Sequence, residues 1–242
     1  ATGGTYDFIK ELDNSVKTIE SLTTYPSILG GRVKTLHPKV FGGILGRLQN
    51  EKDVEEMKQY EIPAFDLVIV DLYPFEETVK KTDDPAQIIE KIDIGGISLI
   101  RAGAKNFNEV VIVPDSKYYL EFMELYKNQD GCTSIEDRKR FAKYAFATSS
   151  HYDGMIYDWF AKDDETSDLN IHIDSRSELR YGENPHQKAV FHGKLDEIFE
   201  KLHGKDLSYN NLLDFEAGLN LIREFEEPTF AILKHNNPCG IA

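Results

Sequence analysis

Cysteine is scarce. Cys132 and Cys239 are the two in 242 residues and lie far apart. That count argues against a disulfide framework or a cysteine-built zinc site and makes a reducing cytoplasm the expected compartment. Long apolar runs are also missing: none approaches the roughly 20 residues of a membrane span. The opening ATGGTYDFIKELD lacks the basic-then-apolar layout of a secretory leader. Positive charge is outnumbered, with 28 Lys plus Arg against 42 Asp plus Glu and a net charge of −14. Such a surface repels phosphate backbones, so neither nucleic acid nor membrane is an expected partner. No GxGxxG, Walker A, HExxH or paired CxxC motif occurs. Dehydrogenase, P-loop NTPase and simple metalloenzyme readings therefore lack support, and no metal ligands are assigned.

A further absence is local. At 42 acids in 242 residues, roughly five belong in a stretch as long as residues 21–50, yet it has none. That stretch carries Arg32, Lys34, Lys39, Arg47 and His37 in ILGGRVKTLHPKVFGGILGR. Residues 94–108, with Arg101 and Lys105, and residues 228–242, with Lys234, repeat the pattern. Buried segments exclude acids in any case, but a purely buried segment does not also collect cations. The windows read as linings for anionic ligands.

Around them, apolar runs and amphipathic stretches alternate as in an α/β protein. ATGGTYDFIKEL reads as a glycine turn entering a helix capped by Thr2 or Thr5, with N–H groups free for a phosphate. DLVIVDLYPF reads as a strand buried on both faces, as in a parallel sheet. DPAQIIEKI is a helix capped by Asp84 with Pro85 in its first turn. GGISLIRAGAKNF is a helix leading to the strand EVVIVP. DSKYYLEFMELYKNQ and SIEDRKRFAKYAFATSSHYDGMIYDWF are long amphipathic helices. Residues 1–162 form the first domain by this reading, residues 163–177 a polar linker, and residues 178–242 the start of a second domain. That region holds a strand in LRYGENPHQKAVFHG, helices in KLDEIFEKLHG and NLLDFEAGLNLIREF, and the strand TFAILKHN, ended by Pro238 and Gly240.

Four constellations carry candidate chemistry. In GGRVKTLHPK, Arg supplies a planar fork and Lys a point charge for phosphate. On an extended segment Arg32 and Lys34 face the same way, beside Gly30 and Gly31. Tyr73 in DLYPF falls at a strand's C-terminal end, where open α/β sheets place ligands. In IDIGGISLIRAGAKN, Asp93 precedes a Gly-Gly helix start, and Ser98, Arg101 and Lys105 form one polar stripe while Ile97 and Ile100 face elsewhere. A carboxylate and a lysine near one site can share acid/base work. In LKHNNPCG, Lys234 and His235 are neighbours at a strand end, a base beside a cation. Each also has a plainer reading as a solvated loop, a packing tyrosine or a surface helix.

GGRVKTLHPKVFGGILGR, DLVIVDLYPFEETV, IDIGGISLIRAGAKN, LRYGENPHQKA, LSYNNLLDFEAG and FAILKHNNPCG, in this order, resemble the bifunctional enzyme family of late purine biosynthesis. That family joins an IMP cyclohydrolase to an AICAR (phosphoribosyl-aminoimidazole-carboxamide) formyltransferase. The resemblance spans essentially the whole chain. It implies a methylglyoxal-synthase-like parallel sheet flanked by helices, then the start of an α/β, cytidine-deaminase-like transformylase domain. It further implies that Lys34, Tyr73, Asp93 and Lys105 act in ring closure, and that Arg32 and Thr35 bind the nucleotide. Thr2, Gly3, Gly4 and Thr5 match the family's phosphate-cradling STGGT, with Ala1 in place of its serine. Lys234 and His235 match the formyl-transfer pair, Arg180 and Tyr181 nucleotide-binding positions, and Asn211 a residue contributed across a dimer interface. The implied ligands are phosphoribosyl aminoimidazole nucleotides, IMP and 10-formyltetrahydrofolate as co-substrate, with no metal for ring closure and a homodimer as the assembly. Family members carry an additional N-terminal strand, helix and Ser/Lys segment and a longer second domain. The chain is accordingly expected to be a fragment without formyl-transfer activity of its own. The alternative is a non-catalytic methylglyoxal-synthase-like module that binds a phosphorylated metabolite.

Overall fold

The computed structural model describes residues 1–13, 15–164, 168–171, 173 and 175–242. The chain divides into two compact units, Ala1–Asn170 and Ile171–Ala242. The expected linker includes residues 165–167, 172 and 174, which lie outside the described residues, while Arg176 and Ser177 already belong to a strand.

The first unit begins with α1 (Gly3–Leu12), α2 (Ile19–Thr23), a 3-10 turn (Leu29–Gly31), α3 (Pro38–Leu45) and α4 (Glu51–Gln59). Strand β1 (Leu67–Ile69) follows, then α5 (Phe75–Lys81), α6 (Pro85–Ile89), α7 (Gly95–Lys105) and β2 (Val111–Val113). The unit closes with a 3-10 turn (Ser116–Tyr118), α8 (Tyr119–Asn128) and α9 (Ile135–Phe160). The Asp84 side chain accepts from Ala86 N–H and Pro85 opens α6, as the DPAQ pattern requires. Ser134 and Asp137 form a reciprocal capping box that starts α9. The segment expected as one helix from Asp115 instead begins with the 3-10 turn, because the Asp115 carboxylate caps Lys117 N–H.

The core forms around β2, whose three residues are all buried. Side chains alternate across a strand. Ile112 packs with Ile100, Ala104, Ala142 and Ala145, while Val111 and Val113 pack with Phe122, Leu125 and Phe141. β1 pairs with β2 in parallel, Leu67 opposite Val111 and Ile69 opposite Val113. The expectation that β1 is buried on both faces is corrected. Val68 and Val70 pack into the core, but Leu67 is 37 % and Ile69 51 % exposed. Helices cover both faces of β2, whereas β1 buries a single face. Its alternation is hidden in sequence because its three residues and the following Val70 are all apolar.

In the second unit, β3 (Arg176–Leu179) and β4 (Ala189–His192) pair antiparallel, so LRYGENPHQKAVFHG holds a hairpin's loop and return strand rather than one strand. The helix expected in KLDEIFEKLHG shortens to α10 (Leu195–Ile198). The chain turns extended at Phe199, whose ring packs at 4.5 Å on Phe215 of α11 (Tyr209–Ile222). Strand β5 (Ala231–Lys234) is followed by β6 (Asn237–Ile241), its antiparallel partner. Pro238, read from sequence as part of a strand-ending break, lies within β6 opposite Leu233. There a register shift accommodates a residue that cannot donate to the ladder.

Candidate functional sites

The acid-free window is not left uncompensated by the fold. Glu90 pairs with Arg32, Glu61 lies 3.6 Å from Lys39, and Asp53 lies 2.7 Å from Arg47. Arg32 holds the Glu90 carboxyl below the usual range by hydrogen bonding and charge. Arg47 does the same to Asp53, which falls to about 2. His37 caps α3, its Nδ1 accepting from Lys39 N–H at 3.1 Å. Among the described residues, Lys34 is the cation of this window that no carboxylate pairs.

Lys34 does not share a face with Arg32 on an extended strand, as the alternation suggested. Gly30 and Gly31 take φ of 65° and 91°, and Arg32 is helical at φ −66°, ψ −28°. The segment therefore folds back, with Ile28 bridging Val33. Arg32 reaches Glu90, while the Lys34 ammonium sits between two glycines: a carbon added to Gly3 or to Gly31 would lie 3.9 Å from Lys34 Nζ. Gly3 has φ of 47° at the first position of α1, a conformation that glycine adopts without strain. Thr2 occupies the N-cap position but makes no side-chain cap. The N–H groups of Gly3, Gly4 and Thr5 thus have no acceptor among the described residues. A helix N-terminus with free N–H groups beside an unpaired ammonium forms an anion seat.

Next to it, Thr35 meets the start of α7: a carbon on Gly95 would come within 2.9 Å of Thr35 Oγ1. The Asp93 carboxylate sits over the same helix start, taking Gly96 N–H at 2.6 Å and Tyr73 N–H at 3.4 Å. A carbon on Gly96 would come within 2.7 Å of that carboxylate, which explains the second glycine. Tyr73 is 56 % exposed, and Lys91 Nζ lies 5.7 Å from its ring centroid. Neither Glu90 nor Lys91 was singled out from sequence. Both flank the IDIGG motif, and their contacts span distances that periodicity does not report.

Lys105 closes α7, at the end away from Gly95. Ten residues of α7 separate it from Gly95, about 15 Å of helical rise. Arg101 on the same stripe donates to Ser149 at 3.2 Å and lies over Phe146. A groove of about 580 Å³ is lined by Arg101 with Ser149, Asp153 and Tyr157, and by none of the residues that the resemblance assigns to a site.

In the second unit the predicted residues gather along α11. Arg180 donates to Tyr181 Oη at 3.1 Å, with its guanidinium 4.8 Å from the ring centroid. Ser208 and then Arg180 hold the Tyr181 phenol below its usual range. Ser208 also caps α11 in a reciprocal box with Asn211, whose Oδ1 takes Ser208 N–H at 3.0 Å. Asn211 is therefore already engaged within its own chain. Lys234 ends β5, and the chain turns at His235 and Asn236 with φ of 53° and 63°. Two positive φ values are what a tight type I′ hairpin requires. The Asp214 carboxylate accepts Asn236 N–H at 2.7 Å and fixes that turn to α11. Asp214 went unrecognised from sequence; its spacing of three from Asn211, on one helix face, was the available signal.

Among the described residues no helix is long and apolar enough to cross a membrane. None of these residues form a group of three or more His, Cys, Asp or Glu placed to hold a metal ion.

Comparison with known proteins finds two family matches, whose boundary falls within α7. The MGS-like domain family matches residues 1–98, and the family described as AICARFT/IMPCHase bienzyme matches residues 103–242. The bifunctional purine biosynthesis protein PurH of Bacteroides thetaiotaomicron is 56 % identical over all of this chain and 48 % of its own length. PurH of Microcystis aeruginosa is 45 % identical, covering 100 % of this chain and 49 % of that protein. The crystal structure of ForH, 36 % identical, superposes at a TM-score of 0.55 over 66 % of this chain and 84 % of that one. The chain spans about half the length of the curated relatives it matches. The architecture is that of an MGS-like domain, a small parallel sheet flanked by helices, followed by the start of the bienzyme's second domain. This chain belongs to the AICARFT/IMPCHase bienzyme family.

Proposed function

We propose that the first unit closes the purine ring: it binds the formylated phosphoribosyl aminoimidazole carboxamide and converts it to IMP with loss of water. The observation that carries this reading is the Lys34 ammonium, unpaired among the described residues, between Gly3 and Gly31 beside the start of α1, with Thr35 next to it at the start of α7. The nucleotide 5′-phosphate takes the N–H groups of Gly3, Gly4 and Thr5 together with Lys34, with Thr2, Thr35 and Arg32 around it. Arg32 must exchange Glu90 for substrate. The reacting carboxamide nitrogen is a poor nucleophile, because its lone pair is delocalised into the carbonyl. Its attack on the formyl carbon therefore needs orientation and a proton acceptor. Asp93 accepts that proton. Tyr73, its ring under the positive charge of Lys91, stabilises the oxyanion that forms on attack, and this oxygen then leaves as water, taking the proton Asp93 returns and the formamide N–H proton as the ring C=N bond forms. Lys105, at the far end of α7, is assigned to ring closure by its motif alone.

The second unit supplies the nucleotide side of formyl transfer in the longer protein. Arg180 and Tyr181 hold the nucleotide, and Asn211 serves a partner copy in a homodimer through the amide nitrogen its capping role leaves free. The amine of the imidazole carboxamide attacks the formyl carbon of 10-formyltetrahydrofolate. The new N–C bond forms as the bond to the folate nitrogen breaks. His235 takes the amine proton and passes it to the departing folate nitrogen, and Lys234 steadies the formyl oxygen. Neither step calls on a metal, and the setting is the cytoplasm. In the full-length protein, Asp93→Asn is expected to slow ring closure by about 10²-fold or more and to leave formyl transfer within twofold, measured in separate assays. A matched loss of both activities would overturn the assignment.

A further inference from the structure

We infer that Tyr152 is a positioning residue for ring closure, fixing the backbone that carries Asp93; the inference rests on the reading of the Asp93 site given above. Tyr152 lies on α9, 59 residues from Asp93, and is 8 % exposed. Its hydroxyl donates to Lys91 C=O at 2.7 Å and accepts from Asp93 N–H at 2.8 Å. One buried group thereby ties down both ends of the segment 91–93.

The site hangs on that segment. Asp93 takes the N–H groups of Gly96 and Tyr73, and Lys91 lies over the Tyr73 ring. Releasing the segment from α9 would loosen the carboxylate against the helix start and the ammonium against the phenol ring together. Burial pushes the Tyr152 phenol up to about 12, so the hydroxyl stays protonated at working pH and keeps both bonds. The ring packs edge-on to Phe75 at 6.2 Å, beside Ile88. Phenylalanine at 152 would preserve that packing and remove the hydroxyl alone. Because the hydroxyl is committed to backbone on both sides, Tyr152 acts through Asp93 and not on substrate.

The test compares Tyr152→Phe and Asp93→Asn in the full-length protein. For Tyr152→Phe, kcat of ring closure per folded molecule is expected to fall ten- to a hundred-fold, as ångström-scale misplacement of a reacting group does. KM and formyl transfer should stay within twofold. A residue that served stability alone would lower the folded fraction and leave kcat per folded molecule unchanged. If Asp93→Asn slows ring closure and Tyr152→Phe does not, the inference falls and the site reading stands. If Asp93→Asn leaves ring closure intact, both fall. Hydrogen exchange in the unsubstituted protein decides the matter independently of how the variant folds. The Asp93 amide should exchange slowly, and exchange at the rate of a free loop would overturn the inference.

Discussion

In the first unit, Thr35 and Asp93 meet at the start of α7, a helix whose other side buries Ile100 and Ala104 against Ile112. In the second, Lys234 and His235 ride a hairpin in which every residue of β6 is exposed. The two sets of candidate residues are held by different physics. Burial of each core isoleucine contributes about 1.5–3 kcal/mol to the frame behind Asp93. The hairpin instead depends on two left-handed residues, a cross-strand ladder and the bond from Asp214 to Asn236. A core frame sets a site's geometry from a distance and is insensitive to any single surface contact. A turn sets it locally, and one side chain can release it.

The largest effect should appear where that frame is cut. Ile112→Ala removes a fully buried side chain and should cost about 2–5 kcal/mol in denaturant unfolding of the first unit. A loss under about 1 kcal/mol would mean that the core does not carry the site. Asp214→Ala should cost only about 1 kcal/mol, the worth of one hydrogen bond, yet should speed amide exchange at Asn236 severalfold. Unchanged exchange would show that the turn holds itself. The smallest effect belongs to the surface pair Arg47–Asp53. The Asp53 carboxyl sits at about 2 in the folded chain, below its unfolded value near 4. Its contribution is thus fully present above pH 4 and is lost as pH falls toward 2. The gap in unfolding midpoint between the unsubstituted chain and Asp53→Asn should be small, screened by salt, and should close across that window. A gap that widened on acidification would contradict the assignment.

What the sequence disclosed follows the same division. Local chemistry was legible: Asp84 before Pro85, the Gly-Gly start of α7, the apolar β2, and a window without acids. Pairings across the chain were not. Glu90 lies 58 residues from Arg32, and Tyr152 59 from Asp93, and no periodicity links them. The alternation of Arg32, Val33 and Lys34 misled because Gly30 and Gly31 permit a fold-back that strand logic ignores. The half-exposed β1 was illegible because Leu67, Val68, Ile69 and Val70 are all apolar. Pro238 looked like a terminator, but an antiparallel edge strand tolerates it at an irregular register.

The acid-free window still says the most, once the fold has matched three of its cations with carboxylates drawn from elsewhere. The central claim is that Lys34, left unpaired beside the start of α1, seats the phosphate of a nucleotide. Isothermal titration of IMP into the chain and into Lys34→Ala tests it directly. Charge-assisted hydrogen bonds to a phosphate are strong, so affinity should fall about tenfold or more, while Lys39→Ala, whose charge Glu61 already meets, should leave it within twofold. Equal affinity for Lys34→Ala and the unsubstituted chain would contradict the account.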